Sequence, residues 1–128
     1  MRLSALAVVL FAAAAVLPAA AHAAPDPLFG DDPHAKAVLD CHANYARRFA
    51  TATVKAPVTP TEVATAAYAH CIGQLNAFAQ SVAANAQASD KVTAFLDPVK
   101  YQAAQVTQMR DYAFAYTLDT YLTAIIAF

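Results

Sequence analysis

Hydrophobic residues recur at steps of three and four through most of the chain, the spacing of one face of an α-helix. The first such stripe lies between Ala35 and Ala52. Asp32-Pro33 precedes it, and this pair is typical of a helix start because Asp caps free amide groups and Pro loses no hydrogen bond at the first helical position. We therefore predict a first helix over about 33–53. Its stripe consists of Ala35, Val38, Cys41, Tyr45, Phe49 and Ala52.

A second stripe follows a connector that contains Pro57. The sequence Thr59-Pro60-Thr61-Glu62 combines a capping threonine, a proline at the first helical position and a glutamate that can reach back to the cap. A second helix should therefore begin near Pro60 and fade over 85–89. Gly73 lies off its stripe, where it either permits a close approach or is tolerated at a cost of about 1 kcal/mol. The stripe consists of Ala64, Ala67, Cys71, Leu75, Phe78 and Val82.

The C-terminal third allows more than one interpretation. A short segment over 91–96 precedes Asp97-Pro98, which repeats the Asp-Pro start and predicts a long third helix from Pro98 to near the C-terminus. One kinked helix could instead span both pieces. The last residues alternate in polarity as a strand would, but we favour a helix because no turn signal intervenes and a single strand would have no partner.

The first 23 residues have the features of a secretory signal peptide. A single basic residue, Arg2, precedes an apolar run from Leu3 to Leu17, and Ala21-His22-Ala23 is a small-x-small cleavage site. Residues 24–31 then form a predicted flexible N-terminal arm, and 32–128 a single all-α domain. The mature chain should be exported to the periplasm or outside the cell, with no stable membrane span after cleavage.

The two cysteines connect the first two predicted helices. Cys41 and Cys71 each lie about 17 Å from the turn between the helices, at about 1.5 Å per residue, and both lie on an apolar stripe. In an exported protein such a pair is typical of a disulfide. We predict a small three- to four-helix bundle built on a disulfide-linked antiparallel helical hairpin, with the C-terminal helix packed across it.

The cysteines also allow a different interpretation. His42 and His70 adjoin Cys41 and Cys71, so reduced thiols and imidazoles could form a Cys₂His₂ metal site. Adjacent helical residues point about 100° apart, however, which should turn His42 and His70 away from the line between the cysteines. His42 and His70 are therefore weak metal candidates, and we expect no metal and no cofactor.

No arrangement of residues indicates catalysis. Ser81 and Ser89 lie far in sequence from His42 and His70, and neither lies within a nucleophile motif. Asp111 and Asp119 could share a helix face, which commonly occurs by chance. The chain has no phosphate-binding glycine loop and no CxxC motif. We expect a protein without enzymatic activity.

Charge and aromatic content bear on possible partners. Without Arg2 the chain has seven basic and nine acidic residues, a net charge of −2, which does not favour nucleic acid. The predicted third helix carries more aromatic residues than one stripe can bury. We select Tyr112, Tyr116 and Tyr121 as a possible surface for a protein partner or for self-association. Possible anion contacts are Arg47, Arg48 and Arg110.

These features predict a protein that binds another protein or has a structural role, with a carrier of a small apolar ligand or of a metal ion as the alternative. In overall build the chain is similar to small disulfide-linked helical proteins of bacterial envelopes, which include acid-stress chaperones and periplasmic inhibitor or immunity proteins. The similarity is one of architecture, since no motif carries a functional site across. It suggests an inhibitor, immunity or chaperone-like role as a further alternative.

Overall fold

The computed structural model of the protein describes residues 29–52, 57–88 and 91–126, and it is a small all-α bundle. The predicted fold class is therefore confirmed. A 3₁₀ turn, Ala86–Ala88, lies between the third and fourth helices. The helices are α1 (Pro33–Thr51), α2 (Pro60–His70), α3 (Ile72–Asn85), α4 (Val92–Leu96) and α5 (Pro98–Ile126).

Helix starts follow the predicted capping residues. The Asp32 carboxylate accepts hydrogen bonds from the backbone N–H groups of His34 (2.8 Å) and Ala35 (3.3 Å). At α2, Thr59 and Glu62 form the reciprocal capping box. The hydrogen bond from the Thr59 backbone N–H lowers the pKa of Glu62, and the Thr59 hydroxyl adds to this shift. Such caps satisfy amide groups that a helix end leaves free.

The predicted disulfide is present and joins α1 to the α2–α3 junction. Cys41 and Cys71 have Cα atoms 5.9 Å apart. The single second helix of the prediction is, however, divided in two at Cys71, whose φ of −96° and ψ of 13° depart from helical values. The helical path resumes at once, because the Cys71 carbonyl accepts from the N–H of Leu75 at 3.2 Å. A Cβ added at Gly73 would have no other atom within 4 Å, so no neighbouring element approaches the helix closely at this glycine.

Helix α5 is the element that closes the core. It is about 43 Å long at 1.5 Å per residue and packs against α1, α2 and α3. The C-terminal stretch is therefore helical, as favoured over a strand. Residues from three helices meet in one buried apolar cluster, and the largest are Phe78 and Met109. The cluster consists of Ala35, Val38, Leu75, Phe78, Met109 and Ala113.

The buried face of α1 differs from the predicted stripe. Tyr45 and Phe49 are only half-buried, whereas the small residues beside them face the bundle. Alanines let α5 approach α1 closely, and the larger aromatic rings remain at the edge of that contact. The face that α1 buries consists of Ala35, Val38, His42, Ala43, Ala46 and Ala50.

Segment 92–96 is a separate short helix and not part of one kinked helix. Asp97 interrupts the helical path with φ −144° and ψ 79°, and its carboxylate accepts from the N–H of Lys100 at 3.0 Å. The only buried residue of α4 is Ala94. Helix α4 is therefore held at the start of α5 by a small contact.

The predicted signal peptide (1–23) and most of the predicted arm (24–31) lie outside the described residues. Of the arm, Phe29 is described and packs against the core: its ring centroid is 5.9 Å from Phe78 and 5.8 Å from Tyr112. Among the described helices, none combines the length and the apolar character that crossing a membrane requires.

Candidate functional site

One histidine is buried in the bundle. His42 on α1 lies within 2.7 Å of the Thr117 hydroxyl on α5, measured from Nδ1 to Oγ1. The same hydroxyl donates to the Ala113 carbonyl at 2.6 Å, which uses its only proton. Nδ1 must therefore carry the proton that it shares with Thr117. Burial lowers the pKa of His42, so the neutral form is favoured.

The weak metal candidates point to different places. His42 faces α5, while His70 is exposed at the end of α2, with its ring centroid 5.2 Å from that of Tyr45. The disulfide also removes both thiolates as ligands. Within the part of the chain that the structure describes, no three His, Cys, Asp or Glu residues are grouped so that they could hold a metal ion.

The residues considered for catalysis have local contacts. Asn85 donates to the Ser81 hydroxyl at 3.4 Å, and Arg110 bonds to Asp111 at 3.0 Å. Asp119 is exposed. Ser89 lies outside the described residues. These contacts are ordinary interactions of helix surfaces.

An open groove of about 710 Å³ runs along α1 beside the disulfide. Tyr45 and Phe49 form one side of it, with ring centroids 6.3 Å apart and ring planes only 22° from parallel. We call this concavity the disulfide groove. Its lining consists of Ala37, Asp40, Cys41, Asn44, Tyr45, Arg48, Phe49, Ala52, His70 and Gln74.

The tyrosines selected from the sequence are half-buried and lie against other aromatic rings of the chain. Tyr112 and Tyr116 are nearly parallel at 6.3 Å, and Tyr112 also contacts Phe29. Tyr121 makes an edge contact with Phe49 at 6.3 Å. Their part in binding a partner stays a prediction, because these ring contacts stabilise the bundle whether or not a partner binds.

A more exposed apolar surface lies on α4 and the first turn of α5. It comprises Val92, Phe95, Leu96 and Val99, which are between 69% and 75% exposed. We call these four residues the α4 stripe. Their spacing, i, i+3, i+4 and i+7, is visible in the sequence. The sequence pattern did not predict this surface, because the Asp97-Pro98 break divides the pattern into pieces too short to indicate one helical face.

Neither the family models, nor the curated proteins, nor the solved structures contain a match to this chain.

Proposed function

We propose that the mature chain is exported, has no enzymatic activity, and acts by binding another protein through the α4 stripe. The disulfide is compatible with an oxidising compartment outside the cytoplasm. The observation that carries the proposal is the exposure of four large apolar side chains on α4 and the first turn of α5. Such a patch commonly marks an interaction site, because leaving it in water is unfavourable.

The spacing of the stripe indicates how the partner binds it. Val92, Phe95 and Leu96, at i, i+3 and i+4, share one face of α4 and can enter an apolar groove of another protein. Val99 extends the patch onto α5 beyond the break at Asp97.

Lys100 follows Val99 at one end of the stripe, and the Asp97 carboxylate accepts its backbone N–H. At the other end the Lys91 ammonium lies over the ring of Tyr101, 5.8 Å from the ring centroid. The complementary partner is a protein with an apolar groove and carboxylates at its rim.

A second copy of this chain fits the stripe less well. Four side chains of this size present on the order of 300 Å² of apolar surface. A stable interface buries about 800 Å² on each partner, so two stripes in contact would fall well short. A groove wide enough to enclose α4 also buries side chains next to the stripe, which two flat stripes in contact would leave in water.

Site-specific cross-linking identifies the partner and tests the proposal. A photoreactive residue at position 95, in the chain expressed with its own leader in its host, should yield one discrete adduct, and the same residue at position 126 should not. Ile126 is a suitable control because it is also exposed and apolar. The adduct partner is then purified for direct binding measurements.

The binding measurement compares two double variants. Phe95→Ser with Leu96→Ser should weaken binding of the purified partner at least about tenfold, because anchors buried in a groove dominate affinity. Leu122→Ser with Ile126→Ser removes exposed apolar residues at the other end of α5 and should change affinity less than about twofold. Equal losses, an adduct between two copies of the chain, or no adduct at position 95 would each refute the proposal.

A further inference from the structure

We propose that the disulfide groove binds a small organic anion that carries an aromatic ring. The ring lies against Tyr45 and Phe49, and the carboxylate pairs with Arg48. This site is separate from the α4 stripe, and the inference stands independently of the protein-binding function proposed above.

The size of the groove suits one small molecule. Its volume of about 710 Å³ lies within the range of about 300–1,000 Å³ that is typical of ligand pockets, and because the groove is open, one side of a bound molecule remains in contact with solvent. Its lining combines half-buried aromatic rings with a few polar side chains, among them Asn44 and Gln74. Apolar surface with a small number of polar groups is the usual composition of such sites.

The aromatic side of the groove is held in place by neighbouring rings. Tyr45 and Phe49 are one helical turn apart and nearly parallel, which presents two flat apolar surfaces in series. Tyr45 also contacts the ring of His70, and Phe49 contacts the ring of Tyr121. A site whose side chains are already ordered loses little conformational entropy on binding, and flat rings favour an aromatic ligand.

One end of the groove carries a basic group, Arg48, that can bind an anion. Arg48 lines the groove, is exposed, and forms no ion pair within the described residues. The acidic residue of the lining, Asp40, is two helical turns away, about 12 Å along α1, and its carboxylate contacts Lys36. A guanidinium can hold a carboxylate through two parallel hydrogen bonds, so a bound carboxylate would meet Arg48 and not Asp40.

Titration with phenylacetate tests the inference. Backbone amide resonances of residues near Tyr45, Phe49 and His70 should shift in a saturable way as phenylacetate is added. Phenylacetamide keeps the ring without the charge, and acetate keeps the charge without the ring. Each should bind at least about tenfold more weakly, because each lacks one of the two contacts. Equal binding of phenylacetamide, or shifts that lie outside the groove, would overturn the inference.

Two neighbouring arginines supply a matched pair of variants. Arg47 and Arg48 are both exposed on the last turns of α1, but only Arg48 lines the groove. Arg48→Gln should weaken phenylacetate binding about tenfold, and Arg47→Gln less than about twofold, because a screened charge outside the groove contributes little. Equal losses would show general attraction by positive charge and would overturn the site. Unchanged binding in Arg48→Gln would overturn it as well.

Discussion

Two regions of the molecule are rich in apolar side chains but bury them to different extents. One is the hairpin of α1, α2 and α3, and the other is α4 with the first turn of α5. Phe78 in the hairpin is 2% exposed, whereas Phe95 in α4 is 75% exposed. Helix α5 lies across all three helices of the hairpin, while α4 contributes one buried residue, Ala94. Burial therefore depends on whether a second element covers the residue. Mutations should therefore destabilise the protein much more in the hairpin than in the α4 segment.

The largest expected difference is between two phenylalanines. Phe78→Ala should lower the free energy of unfolding by about 3–5 kcal/mol, because it removes a buried ring and leaves a cavity. Phe95→Ala should change it by less than about 0.5 kcal/mol, since its ring is exposed. Urea unfolding of both variants measures the two values. A large loss in Phe95→Ala would show that α4 stabilises the bundle and would remove the contrast.

The disulfide should be the next largest contribution to the hairpin. Replacing Cys41 and Cys71 together by alanine should lower the free energy of unfolding by about 3–4 kcal/mol, because the unfolded chain regains the entropy of a loop that the bond closes. Unfolding in urea checks the value. Reduction of the unmodified protein by dithiothreitol serves as the control and should give the same loss. Coincident unfolding curves with and without reductant would contradict the prediction.

A buried polar contact should contribute less. Thr117→Val leaves Nδ1 of His42 without its partner in the core, which should cost about 1–3 kcal/mol of unfolding free energy. Thr65→Val is the matched control: the Thr65 hydroxyl also donates to a carbonyl four residues earlier, but on an exposed surface. This variant should lose less than about 0.5 kcal/mol. If urea unfolding showed that both variants lose similar amounts of unfolding free energy, the buried contact would stabilise the protein no more than the exposed one.

The smallest expected effect is the change in unfolding free energy with pH that His42 causes between pH 7.5 and 5.5. Burial lowers its pKa below the usual 6.5, so the unfolded chain binds a proton more readily than the folded chain. His42 should therefore cause no change in the free energy of unfolding with pH above pH 6.5, and the free energy of unfolding should decrease as the pH falls below that value. Unfolding midpoints at pH 7.5 and 5.5 measure the decline.

Two histidine variants identify the group responsible. His42→Gln should reduce the pH dependence between 7.5 and 5.5, because the buried titrating group is gone. His70→Gln should leave it intact, since His70 is exposed at the end of α2. If His70→Gln removed the dependence and His42→Gln did not, the assignment would be wrong.

Sequence reasoning succeeded where the determining contacts are local. Asp32 and the pair Thr59 and Glu62 mark the starts of α1 and α2, because each cap bonds to amide groups at most three residues away. The Asp97-Pro98 start of α5 follows the same rule. The disulfide was predictable because Cys41 and Cys71 lie at matched distances from the turn and each lies on the apolar face that its helix turns toward the other.

Sequence reasoning was less successful where burial depends on a distant element. Four of the five alanines of α1 lie on its buried face and only Ala37 is exposed, but the larger apolar side chains of Tyr45 and Phe49 indicated the neighbouring face. Tyr45 and Phe49 were assigned to the core stripe and instead line the disulfide groove. The groove itself needs residues from α1 and from the α2–α3 junction, which no single stretch of sequence brings together.

By itself, the sequence determined where α1, α2 and α5 begin, that the architecture is all-α, and that Cys41 pairs with Cys71. Capping groups, prolines and helical spacing act within a few residues, so they can be recognised in one dimension. Only the tertiary structure decided which face of α1 is buried, that His42 bonds to Thr117, and that the α4 stripe remains exposed. Those outcomes depend on where α5 lies, because burial requires a covering element from elsewhere in the chain.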